Sequence, residues 1–192
     1  MYIPVNEDIA LLTLTELSQL GRYRWIVPVV AQLSEFGGAK FVTLLNRLRL
    51  PRDTLVRTLE AGIDAGWIMR NPGYGHPLRP EYVLTPDGGR LSLVCRAITA
   101  TQARLELPPD ALNRWSLPIV RLLADGIHRF NQLSRGIPDA TPRALTLNLK
   151  SMLGHRLIDR NLADGFPPRV DYRLSARGQT LAGAIAATGR YQ

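Results

Sequence analysis

Arg24-Trp25-Ile26-Val27-Pro28-Val29-Val30 and Arg114-Trp115-Ser116-Leu117-Pro118-Ile119-Val120 are near-copies of one phrase, ninety positions apart. The match extends outward in order. Lys40-Phe41 aligns with Arg129-Phe130 and Leu44 with Leu133, while Leu55, Leu59 and Ile63 align with Leu145, Leu149 and Leu153. Glu81-Tyr82-Val83-Leu84 aligns with Asp171-Tyr172-Arg173-Leu174, and Gly88 and Leu91 with Gly178 and Leu181. The alignment slips by one residue only in the loops before Phe41 and Phe130. Ordered matches along most of the chain are the mark of an internal repeat. They divide the sequence into residues 1–107 and 108–192.

Each copy has the same expected element order. In the second, an apolar segment from Trp115 to Leu123 ends at Asp125-Gly126, and a short segment from Phe130 to Ser134 closes at Gly136 and Pro138. Thr141-Pro142 predicts a helix start, because Thr accepts from the first free N–H groups and Pro fits the first helical position. Leu145, Leu149, Met152 and Leu153 recur at helical spacing and form its buried face. Leu157–Arg160 reads as a strand, Ala163–Pro168 as a turn, and Val170–Leu174 as the returning strand. A last helix starts near Ser175 and runs through Leu181 and Ile185. In the first copy the helix lies near Arg52–Ala65 and the strands at Trp67–Arg70 and Glu81–Leu84, around the glycine-richer tip Asn71–Pro77. Leu91–Leu107 reads as a long connecting helix and Ile9–Leu20 as a leading one, both for packing or dimerisation. Pro28 and Pro118 require the two Trp-containing helices to begin close to the Arg-Trp pair or to kink. Three short helices, a two-stranded ribbon and a closing helix make a winged helix. The expected fold is therefore mainly α with small β (α+β): two tandem winged-helix domains forming a pseudo-dimer.

Charge supports a polyanionic partner. The chain has 192 residues and a net charge of +8. Residues 1–100 hold 11 basic and 9 acidic groups, against 13 and 7 in residues 101–192. The only lysines are Lys40 and Lys150, and the arginines that supply the rest present a planar fork suited to phosphates and guanine edges. No apolar run approaches the roughly 18 residues of a membrane span. The start, MYIPVNEDIA, lacks the basic-then-apolar pattern of a secretory signal. A lone cysteine, Cys95, cannot form an internal disulfide. Together these predict a cytoplasmic protein without a membrane partner.

Arg114-Trp115-Ser116-Leu117-Pro118-Ile119, Arg129-Phe130, and the run from Pro167 to Leu174 with Ser175-Ala176-Arg177-Gly178 behind it resemble the HxlR-type winged-helix regulators, relatives of the MarR group. The resemblance covers roughly residues 112–187, with a weaker version over 22–98. It implies a transcription regulator that binds double-stranded DNA. Such regulators usually carry one domain and act as homodimers, so here it implies both domains in one chain. Some relatives sense oxidants through a cysteine near the N-terminus. Cys95 falls instead in the connecting helix and reads as a buried structural residue.

A winged helix places its recognition helix in the major groove. With Leu145, Leu149 and Leu153 inward, the outer face of that helix carries Thr141, Arg143, Thr146, Leu147 and Lys150. Arg143 suits a guanine, Thr146 a base or a thymine methyl, and Lys150 a phosphate. The matching face of the first copy carries Arg52, Asp53, Val56, Arg57 and Glu60, a poorer polyanion surface. Arg79 and Arg169 lie in the wings, and Arg129 and Arg135 flank the short second helix as phosphate contacts that fix position without reading sequence. Trp25 and Trp115 read as core rather than as platforms for bases. His76, His128 and His155 lack ligand spacing, so no metal is expected, and Gly73-Tyr74-Gly75 lacks the context of a phosphate loop. Nothing points to a catalytic constellation or a cofactor, and an enzyme is not expected. A small-molecule effector held between the domains is compatible with this reading. The alternative is a winged-helix scaffold for proteins, suggested by the acids of the first copy.

Overall fold

The fold is taken from a computed structural model, which describes residues 12–71, 81–108, 110–163 and 169–186. The leading helix α1 spans Leu14–Arg22. It is followed by α2 (Ile26–Phe36), β1 (Ala39–Lys40), α3 (Phe41–Leu48), α4 (Arg52–Asp64), β2 (Ile68–Asn71), β3 (Glu81–Leu84) and α5 (Pro86–Arg104). The order then repeats with α6 (Ser116–Ala124), α7 (Phe130–Gly136), α8 (Pro142–Gly154), β4 (Ile158–Ala163), β5 (Arg169–Leu174) and α9 (Ala176–Ala186).

The proline problem resolves at the helix starts. Trp25 and Trp115 are the N-caps of α2 and α6, so Pro28 and Pro118 fall in the first turn. An N–H there has no intrahelical acceptor in any case. The first bonds come one residue later, Val29 N–H to the Trp25 carbonyl and Ile119 N–H to the Trp115 carbonyl, each at 3.0 Å. Neither helix needs to kink.

The two sheets differ. β4 and β5 pair antiparallel from Ile158 opposite Leu174 to Ala163 opposite Arg169. In the first half β2 pairs β3 in the same sense, from Ile68 opposite Leu84 to Asn71 opposite Glu81. There β1 adds a third strand, Ala39 opposite Tyr82 and Lys40 opposite Glu81, where only a ribbon is expected from sequence. The second half keeps a single bridge at the same place, Arg129 opposite Asp171.

The strand-to-helix corner is built twice in the same way. Thr85 and Ser175 accept from the N–H groups of Gly88 and Gly178, capping α5 and α9. Their hydroxyls donate to the carbonyls of Gly66 and Arg156, both at 2.6 Å. A Cβ at Gly88 would lie 2.0 Å from the Trp67 carbonyl oxygen, and one at Gly178 would lie 2.0 Å from that of Leu157. The Thr85-Pro86 start also corrects the sequence reading of the connecting helix as 91–107. The cap and the N1 proline begin α5 at Pro86. At its other end Glu106 takes a left-handed φ of 50°, which stops the helix at Arg104.

Within each half the Trp-led helix packs on the closing helix, α2 on α5 and α6 on α9. Across the halves α5 packs on α9 and α1 on α6, and Arg177 Nη2 donates to the Leu105 carbonyl at 2.7 Å. The buried apolar side chains of both halves form one continuous cluster. Among the described residues no helix is long and apolar enough to cross a membrane.

Candidate nucleic-acid interface

α8 begins where the sequence expects it. Thr141 is the N-cap, its side-chain oxygen accepting from Ala144 N–H at 3.2 Å, and Pro142 is the first helical residue. Leu145, Leu149 and Met152 are fully buried, and Asn148 joins them because its Oδ1 accepts from the buried Ser116 hydroxyl at 3.0 Å. That bond ties the middle of α8 to the first residue of α6. The opposite face leaves Arg143, Thr146, Leu147 and Lys150 exposed and carries no acidic residue. Among the described residues neither Arg143 nor Lys150 has an ion-pair partner.

Two of the expected contacts are already engaged within the fold. Thr141 oxygen serves the cap, and Thr146 Oγ1 donates to the Pro142 carbonyl at 2.8 Å. In this arrangement the hydroxyl proton of Thr146 is directed into its own helix rather than toward a base. Its acceptor capacity and its methyl group remain.

Beside α8, Arg129 is the N-cap residue of α7 and Arg135 lies in the last turn of that helix, rather than just beyond it. Both line an open depression with Asn131, Gln132 and Val170, so the second helix and the start of β5 share one basic concavity. Arg129 Nε stands 3.7 Å from Asp171 Oδ1, an ion pair too long to be a hydrogen bond, and that oxygen is buried without a hydrogen-bond partner. A phosphate at Arg129 would compete with a weakly engaged acid rather than a tightly bound one. His128 supports the same corner, with Nδ1 3.1 Å from the Tyr172 carbonyl while its own carbonyl accepts from Tyr172 N–H at 2.8 Å.

The ribbon is longer than the sequence suggests. β4 continues to Ala163, which carries Arg160, Asn161 and Leu162 outward, and Arg173 is exposed on β5. Asn161 and Leu162 were missed because the strand was expected to end at Arg160, whereas Arg160 and Arg173 lay inside the expected strands without being singled out. The signal available was the alternation of Arg173 with the half-buried Tyr172 and Leu174. Arg169 is the first residue of β5, but its side chain lies outside the described part, as do Arg79, His76 and both wing tips.

The corresponding face of the first half is differently made. Arg52 and Arg57 are exposed on α4 beside exposed Asp53 and Glu60. The Arg52 guanidinium lies 5.0 Å from the centre of the Phe41 ring, and that of Arg47 3.5 Å from the Phe36 ring. Arg143 aligns with Asp53, whose carboxylate favours the helix N-terminus but repels phosphate. Cys95 is fully buried in α5, and burial pushes its thiol up to about 12, which suppresses the reactive thiolate. Among the described residues no group of His, Cys, Asp and Glu is placed to hold a metal ion.

The model of the HxlR-like helix-turn-helix family matches residues 112–191, the half that contains α8 and its ribbon. Several proteins named HTH-type transcriptional regulators align with part of the chain. One from Synechocystis is 36% identical over 75 residues, covering 39% of this chain and 56% of that protein. One from Methanothermobacter thermautotrophicus is 35% identical over 68 residues, covering 35% and 52%. YvaP of Bacillus subtilis is 31% identical over 80 residues, covering 41% of this chain and 74% of YvaP. The chain spans little more than half the length of the first two. No solved structure matches the chain.

Proposed function

Since this chain belongs to the HxlR-like helix-turn-helix family, we propose that it binds double-stranded DNA through α8 and the β4–β5 ribbon and regulates transcription. One observation carries this reading. α8 offers a capped, acid-free face whose Arg143 and Lys150 have no ion-pair partner among the described residues, next to the Arg129–Arg135 concavity. An unpaired arginine near the start of a helix suits the O6 and N7 acceptors of guanine. Cations along α7 and the ribbon suit the flanking phosphates. Several of the aligned relatives are named as transcriptional regulators, and their names support the same function here.

The finer reading is a two-headed protein, in which the first half serves as a second, diverged head fused where a homodimer would supply a partner. The repeated element order, the matched first-turn prolines and the doubled Thr85 and Ser175 corners support it. The first half also gives the scaffold alternative its specific observation. Phe36, Val42 and Met69 are exposed there alongside the acids of α4, a mixture better suited to a protein surface than to phosphate.

Selection of duplexes from a random pool by the full chain separates the two. The proposal expects an enriched sequence, while a scaffold enriches none above competitor DNA. On the enriched duplex Arg143→Ala should cost about 1–3 kcal/mol and relax specificity at one position. Arg57→Ala should cost less. Equal losses from both would remove the dominance of the second half.

A further inference from the structure

Within residues 112–186, the large apolar side chains left exposed among the described residues are Leu147, 58% exposed on α8, and Leu162, 67% exposed near the end of β4. Both lie on the elements assigned above to DNA. A single exposed leucine is ordinary on a protein surface. Leu147, however, stands in the middle of a polar, cationic helix face. It adds nothing to the core, because the inner side of α8 is already filled by Leu145, Leu149 and Met152.

Its neighbour gives it a chemical role. With Thr146 Oγ1 donating to the Pro142 carbonyl, the hydroxyl proton is engaged inside the helix. Thr146 is exposed, and what it still has to offer a partner is its methyl group and an acceptor lone pair. Thr146 and Leu147 follow Arg143 by three and four residues, so all three share one face of the helix. The result is an apolar step between a guanidinium and the ammonium of Lys150. In the major groove the apolar feature among the base edges is the C5 methyl of thymine.

We infer that α8 reads thymine methyl groups through Leu147 and Thr146, beside the base held by Arg143, with Leu147 as the specificity-determining residue. The inference rests on the DNA-binding reading above. Removing one buried methyl group shifts an equilibrium about fourfold.

The enriched duplex is remade with deoxyuridine in place of each thymidine in turn, and binding to the full chain is followed by fluorescence anisotropy at fixed salt. One or two adjacent replacements should each weaken binding about three- to fourfold, since uracil differs from thymine only by the methyl group. Leu147→Ala should bind more weakly at the start and lose that sensitivity. Replacing the same thymine by 5-methylcytosine should retain more affinity than replacing it by cytosine. Leu147 is exposed, so the variant keeps its core. A selected duplex that binds equally well with every thymine replaced, or a Leu147→Ala variant as sensitive as the parent, overturns the inference and leaves DNA binding intact. Failure to enrich any duplex removes both.

Discussion

Four helices in this protein end by one device. After α4, α5, α6 and α8 the chain turns back through a left-handed residue, and the N–H two positions beyond the cap bonds a carbonyl inside the last turn. The bonds are Trp67 to Gly62, Leu107 to Gln102, Ile127 to Leu122 and Leu157 to Met152, each at 2.9 Å. Gly66 and Gly126 take that conformation freely, whereas Glu106 and Arg156 take it with a side chain. A left-handed L residue costs about 1–2 kcal/mol, partly offset in a glycine variant by the extra freedom of its unfolded chain. Glu106 also places a carboxylate at the negative end of α5. Glu106→Gly should therefore raise the unfolding free energy read from urea denaturation by about 0.5–1 kcal/mol. Gly178→Ala should do the opposite. Its new Cβ would meet the Leu157 carbonyl, a rigid backbone atom, and overpacking of this kind costs about 1–3 kcal/mol. A neutral Gly178→Ala in the same denaturation experiment would show that the corner yields more readily than its hydrogen bonds suggest.

At the scale of elements, α1 is the piece that belongs to both halves. Thr13 and Glu16 form a capping box at its start, and Glu16 pairs with Arg90 of α5. Leu17 and Leu20 are buried, and Gly21 sits so close to Arg114 that a Cβ would lie 2.2 Å from that carbonyl oxygen. One end is thus held electrostatically to the first half and the other by close backbone contact to the second. Burial alone would raise the Glu16 carboxyl, but hydrogen bonds from Arg90 and Thr13 outweigh it and hold the group below its ordinary 4.5. A carboxyl lowered in the folded state contributes stability above its unfolded pKa and loses it as the pH falls through the folded one. The pair is partly solvent-exposed, so the contribution is modest. Denaturation at neutral and at strongly acidic pH should show a smaller acid loss in Glu16→Gln than in the parent. Parallel losses in the two proteins would mean that Glu16 does not secure α1.

For the whole molecule, the two-headed proposal carries a consequence: two unlike heads would select an unlike pair of half-sites. A homodimer presents one recognition helix twice and selects a palindrome. Here Arg143 aligns with Asp53, and Thr146 and Leu147 align with Val56 and Arg57. Asp53 suits a cytosine amino group where Arg143 suits a guanine. On the two-headed proposal the natural site is asymmetric. A symmetric duplex made from two α8 half-sites should bind more weakly, by about 1–3 kcal/mol for each important mismatch. Footprinting followed by competition with both symmetrised duplexes checks this. If either one competes as well as the natural site, α4 is not reading a sequence of its own.

How much of this was legible beforehand depends on the range of the interaction concerned. Local signals sufficed for the helix starts at Thr141-Pro142 and at Ser175 and for which residues share the α8 face, and they narrowed the helices of Pro28 and Pro118 to an early start or a kink. Each depends on a residue and its neighbours within one turn, and such preferences are written directly in sequence. Only the tertiary structure decided the rest. The third strand at Ala39–Lys40 depends on a partner more than forty positions away, and the bond from Arg177 to Leu105 spans 72. The diversion of the Thr146 hydroxyl into its own helix depends on a side-chain rotamer rather than on residue type. The bridging of α1 between the halves depends on where the backbone passes close enough to exclude a Cβ at Gly21. Spacing along the chain fixes which residues share a face, but which distant groups compete for a given proton or space is settled only when the chain is packed.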